Sequence, residues 1–89
     1  MKKSPKFSSK QNYSNIKDKV LYLINDEYNT FDHVIDCLVT LCGHDKFQAE
    51  QCALITHYKG ICEIAVGRNI DLLLLEEDLT LYGLDVEIR

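Results

Sequence analysis

Between residues 20 and 24 the chain is apolar without a break, Val20-Leu21-Tyr22-Leu23-Ile24, and its β-branched and aromatic members predict a buried strand. The polar run Asn25-Asp26-Glu27-Tyr28 cuts that strand off. Beyond it, Phe31, Val34, Ile35, Leu38, Leu41 and Cys42 recur at the spacing of one helical face, and Gly43 supplies a left-handed stop. Asn29 reads as the cap of this helix, with Asp32 three residues later facing the free amides. Asp45-Lys46-Phe47-Gln48 has the form of a capping box and opens a second helix that ends at Gly60. Ile61 to Val66 is a short strand candidate closed by Gly67. Asn69 reads as the cap of a third helix reaching Tyr82, and Gly83 follows it. Leu84-Asp85-Val86-Glu87-Ile88 alternates strictly, the pattern of a half-buried strand. The order β-α-α-β-α-β implies an α+β fold: a small open sandwich with a three-stranded antiparallel sheet packed against three helices.

The third helix carries more leucine than one sheet can cover. Leu72, Leu75 and Leu79 form one stripe, and Ile70, Leu73, Leu74 and Leu81 form another. One stripe is therefore expected to face a partner, or a second copy of the chain. Glu76-Glu77-Asp78 lie near the helix C-terminus, where acids oppose the dipole, so helix stability is not what places them there.

Charge divides the chain in two. Residues 1–19 hold six lysines and one acid, a balance of +5, while residues 20–89 hold four basic residues and thirteen acids, a balance of −9. The first segment, rich in Lys, Ser and Asn, has too little apolar surface to fold and is expected to be a flexible basic extension. Residues 20–89 form the expected core. Its acidity argues against nucleic acid, whose phosphates it would repel. The longest leucine run, Leu72 to Leu75, is far too short to span a membrane, and the lysine-rich start has no apolar segment of the secretory kind. A cytoplasmic protein is expected. Cys37, Cys42, Cys52 and Cys62 match no zinc spacing and read as free thiols, so neither metal nor cofactor is expected. His33 and His44 read as a first-turn residue and a loop residue without a role. No cysteine or histidine has a base and an orienting acid at recognisable spacing, which disfavours an enzyme.

The chemistry concentrates at the turn from first strand to first helix. Asn25, Asp26 and Glu27 place polar acceptors where folding demands no pair of acids, and an ammonium group suits them better than a metal does. Taken alone, Asn25 and Asp26 are also compatible with a simple turn, and His57 with a helix-end cation. Asn25-Asp26-Glu27-Tyr28, followed by Val34-Ile35, Leu38, Ala49, His57-Tyr58 and Gly60, resembles the ClpS family, the adaptors that deliver substrates with destabilising N-terminal residues to a Clp AAA+ protease. The likeness is carried by residues 20–62, and beyond them only by the predicted elements.

The resemblance implies that Asn25, Asp26 and His57 hold the substrate's N-terminal amine, with Glu27 adding negative field. It implies a side-chain pocket walled by Phe31, Val34, Ala53, Thr56 and Leu84. The position of Ala53 usually holds a methionine in the family, and that of Thr56 a Val or Ile, so this pocket differs in bulk and polarity. Implied partners are a Clp unfoldase, ClpA- or ClpC-like, and proteins beginning with Phe, Tyr, Trp or Leu. The fold that the resemblance implies is similar to the C-terminal domain of the bacterial ribosomal stalk protein, which leaves open an interaction module that has no need of Asn25, Asp26 or His57.

Overall fold

The computed structural model describes residues 18–89, so the expected basic extension lies outside the described residues as far as Lys17. Six elements follow in the expected order: β1 (Asp18–Ile24), α1 (Phe31–Cys42), α2 (Lys46–Lys59), β2 (Ile61–Arg68), α3 (Asn69–Leu81) and β3 (Asp85–Ile88). The strands form one antiparallel sheet in the order β2-β1-β3. β1 is the central strand, paired with β2 on one edge and β3 on the other. It begins two residues earlier than its apolar run. Asp18 pairs with Arg68 and Lys19 with Gly67, so backbone pairing draws polar residues into the sheet that hydropathy had left in the extension. A register shift between Leu21 and Tyr22 leaves Ile64 of β2 without a partner, a bulge on that strand, and Leu21, Leu23 and Ile64 are all buried.

The core lies between this sheet and the helices. Leu21, Leu38 and Leu79 are fully enclosed, with Ala49, Leu72 and Leu84 packed around them. Each buried leucine contributes roughly 1.5–3 kcal/mol. Leu84 precedes β3 and is buried, so the alternating pattern persists although strand pairing starts at Asp85.

Two caps differ from expectation. Thr30, not Asn29, caps α1: its Oγ1 accepts from the His33 amide at 3.1 Å. Both residues have cap chemistry, and Asn29 is drawn away by partners described below. Arg68, not Asn69, occupies the cap position of α3, without a side-chain cap bond; it pairs with exposed Asp71 at 3.0 Å, a contact of small worth. The α2 cap is as expected, Asp45 accepting from the Gln48 amide at 2.7 Å, and Gly60 ends the helix at φ 89°.

On α3 the Leu72/Leu79 stripe is the buried one, with Leu75 half-buried. Ile70, Leu73, Leu74 and Leu81 are exposed. The two histidines read as idle are structural. His44 is buried and its Nε2 donates to the Ile64 carbonyl at 2.9 Å, tying the α1–α2 loop to β2. His33 Nε2 donates to the Tyr82 carbonyl at 2.8 Å, fastening the end of α3 to α1.

Candidate functional site

The site forms where β1 ends beside the end of α2. Ile24 pairs with Ile61, and the Asn25 amide donates to the Gly60 carbonyl at 3.0 Å; Gly60 lies three residues after His57, so Asn25 and His57 come to line one cavity although 32 residues separate them in the chain. Glycine at position 60 makes this approach possible, because the chain must reverse from helix to strand at positive φ.

The following loop is organised by Asp26. Its Oδ1 accepts from the amides of Tyr28 at 2.8 Å and Asn29 at 2.9 Å, and its Oδ2 accepts from Asn29 Nδ2 at 2.8 Å. Burial alone would push the carboxyl up, yet the bonds from Asn29 and Tyr28 outweigh it and hold Asp26 below the usual carboxylate value. Asn29 Nδ2 also donates to the Gly83 carbonyl at 2.9 Å, linking the loop to the turn before β3.

A cavity of about 410 Å³, part of it open to solvent, lies against this loop. Asn25, Asp26, Asn29 and His57 supply its polar edge; Leu23, Ile24, Phe31, Val34, Ala53 and Thr56 complete the wall. The His57 ring is flanked edge-on by two aromatics, Phe31 at 5.4 Å and Tyr58 at 5.0 Å between ring centroids. These contacts orient an otherwise exposed imidazole. Thr56 is buried and its hydroxyl donates to the Cys52 carbonyl at 2.7 Å, so it asks no partner of an occupant.

Seven of the residues singled out from sequence line this one cavity: Asn25, Asp26, Phe31, Val34, Ala53, Thr56 and His57. Two do not. Leu84 is 3% exposed and belongs to the core behind the wall, because the turn at Gly83 directs it inward. Glu27 is exposed beside the loop and outside the lining. Leu23, Ile24 and Asn29 line the cavity without having been expected there. The first two were legible only as strand, and the cap preference of Asn29 concealed its other partners. Among the described residues no group of three or more His, Cys, Asp or Glu is placed to hold a metal ion. Among them also, no helix is long and apolar enough to cross a membrane.

Sequence comparison matches residues 17–81 to the family described as ATP-dependent Clp protease adaptor protein ClpS. The chain belongs to the ClpS family. Among solved structures it is similar to Agrobacterium tumefaciens ClpS2 bound to L-phenylalaninamide, at a TM-score of 0.75 and 16% identity, over 82% of this chain and 98% of that one; at that identity the likeness is one of fold. A comparison with curated proteins found no match.

Proposed function

We propose that this chain binds proteins by a destabilising first residue, Phe, Tyr, Trp or Leu, and hands them to a ClpA- or ClpC-like unfoldase in the cytoplasm. The observation that carries this reading is one cavity with a polar edge of Asn25, Asp26 and His57 and an apolar wall of Phe31, Val34 and Ala53. Such a site fits a group that joins an ammonium to an apolar side chain. L-Phenylalaninamide, the ligand of the Agrobacterium protein, has that character.

An N-terminal ammonium brings three donors that need acceptors when they leave water. The Asn25 side-chain oxygen and a neutral His57 ring nitrogen supply two. Asp26 already accepts three bonds, so it acts mainly through its charge, with Glu27 adding to the field from outside the cavity. The carbonyl end of α2 adds further negative potential. Charge-assisted bonds of this kind contribute roughly 1.5–3 kcal/mol each. Burying the first side chain against Phe31, Val34, Ala53 and Thr56 contributes a similar amount.

The test is a titration with short peptides that differ only in their first residue or in the state of their amine. Free peptides beginning with Phe or Leu bind at micromolar concentration, and acetylation of the amine weakens them at least about tenfold, the equivalent of about 1.4 kcal/mol. Equal binding of free and acetylated peptides would overturn the reading.

A further inference from the structure

All four cysteines are free thiols, and two of them converge. Cys52 lies on the inner face of α2 at 8% exposure, and Cys62 is the second residue of β2, half-buried. Both thiols point at one acceptor, the Glu63 carbonyl, at 3.8 Å from Cys52 Sγ and 3.5 Å from Cys62 Sγ. Neither belongs to the cavity lining.

We propose that Cys52 and Cys62 form a redox-responsive dithiol that closes reversibly to an intramolecular disulfide by exchange with small disulfides of the glutathione class. Cys62, the more accessible of the two, reacts first. Its thiolate attacks one sulfur of the small disulfide, a mixed disulfide forms on Cys62, and a small thiolate leaves. Cys52 then gives up its proton to solvent, its sulfur attacks the Cys62 sulfur, and the second small thiolate leaves. Two protein thiols and one small disulfide thus become one protein disulfide and two small thiols, with no other oxidant consumed.

The asymmetry of the pair supports this order. Burial, and then the adjoining Cys62 thiol, push Cys52 up to about 12, so it is a poor nucleophile towards molecules in solution. Held against a mixed disulfide on Cys62, it attacks within the same molecule, where effective concentration replaces nucleophilicity. Cys42, pushed up to about 11 by burial and by Cys37, lies on α1 and is the rival partner. The new bond would tie α2 to β2 beside Ala53 and next to the carbonyl that holds Thr56, two residues of the cavity wall.

The full chain is incubated with oxidised glutathione, remaining thiols are alkylated, and the products are digested and mapped by mass spectrometry. The expected product has lost two hydrogens, contains one linked peptide pair joining Cys52 to Cys62, and reverts with dithiothreitol. In Cys62→Ser that linked pair is absent while circular dichroism still reports the fold. A glutathione adduct that persists on Cys62, or a linkage that runs through Cys42 or Cys37, overturns the proposal. Mapping the wild-type chain decides the matter even if the variant does not fold, and it does not depend on peptide binding.

Discussion

Asn29 joins the loop after β1 to the turn before β3 through one nitrogen, donating to the Gly83 carbonyl at 2.9 Å while also donating to Asp26 Oδ2. The two ends of this bridge lie 54 residues apart in sequence. It sets where the loop ends and therefore where Asp26 and the cavity edge stand. Asn29→Ala removes both bonds and leaves the Gly83 carbonyl without this donor. The expected loss of stability is about 1–3 kcal/mol, read as a lower urea midpoint at an unchanged slope. A midpoint equal to wild type would mean that the bridge is formed but idle.

Asp26 makes stability depend on acid. Its carboxyl titrates below the ordinary value, because burial is outweighed by bonds from Asn29 and Tyr28. A depressed value means that the unfolded chain takes up the proton first. The contribution is therefore full above the unfolded value of about 3.9 and is lost as pH falls from there through the lower folded value. Asp26→Asn keeps the shape but loses the charge, so its stability should be lower at neutral pH and flatter between about pH 5 and 2. Parallel curves for the two proteins would assign the acid sensitivity to other carboxylates.

His57 must offer a lone pair to an incoming ammonium, and a protonated ring has none to offer. His57→Ala should weaken binding of a peptide beginning with Phe by about tenfold, read by calorimetry. Because Phe31 and Tyr58 hold the ring from two sides, Tyr58→Ala should weaken binding by a smaller factor through loss of orientation alone. Should His57→Ala bind the peptide as tightly as wild type, another group holds the ammonium.

Ala53 leaves space in the wall that a larger side chain would fill. Peptides beginning with Ile or Val are expected to bind measurably, more weakly than Phe or Leu, since the extra branch near the peptide backbone meets only a methyl group here. Ala53→Met should reduce Ile and Val binding by about 1–3 kcal/mol while changing Phe and Leu little. Calorimetry with the four peptides reads this directly. Equal losses for all four would show that the substitution damages the pocket instead of gating it.

The elements were legible because the interactions that make them are local. Asp45 caps α2 through a residue three positions away, Gly60 and Gly43 end helices through their own backbone freedom, and the apolar spacing of α1 already describes one face. The polar edge of the site was legible for a related reason. Asn25 and Asp26 sit at a strand end that hydropathy marks, and His57 sits one turn before a helix-ending glycine, so the family spacing could be recognised from residues within short windows.

What only the tertiary structure decided depends on partners far away in the chain. The sequence offers two leucine stripes on α3 of similar strength, and the choice of Leu72 and Leu79 for burial was made by the sheet beneath them. Asn29 and Thr30 both have cap chemistry, and the tie fell to Thr30 because Gly83, across the fold, claims the Asn29 amide. Leu84 could have faced the cavity or the core; the turn that Asn29 and His33 hold sent it to the core. Asp18 and Lys19 look like the end of a polar extension until β2 supplies backbone partners for them. In each case the deciding partner is distant in the chain, so the local sequence could not settle the outcome and packing did.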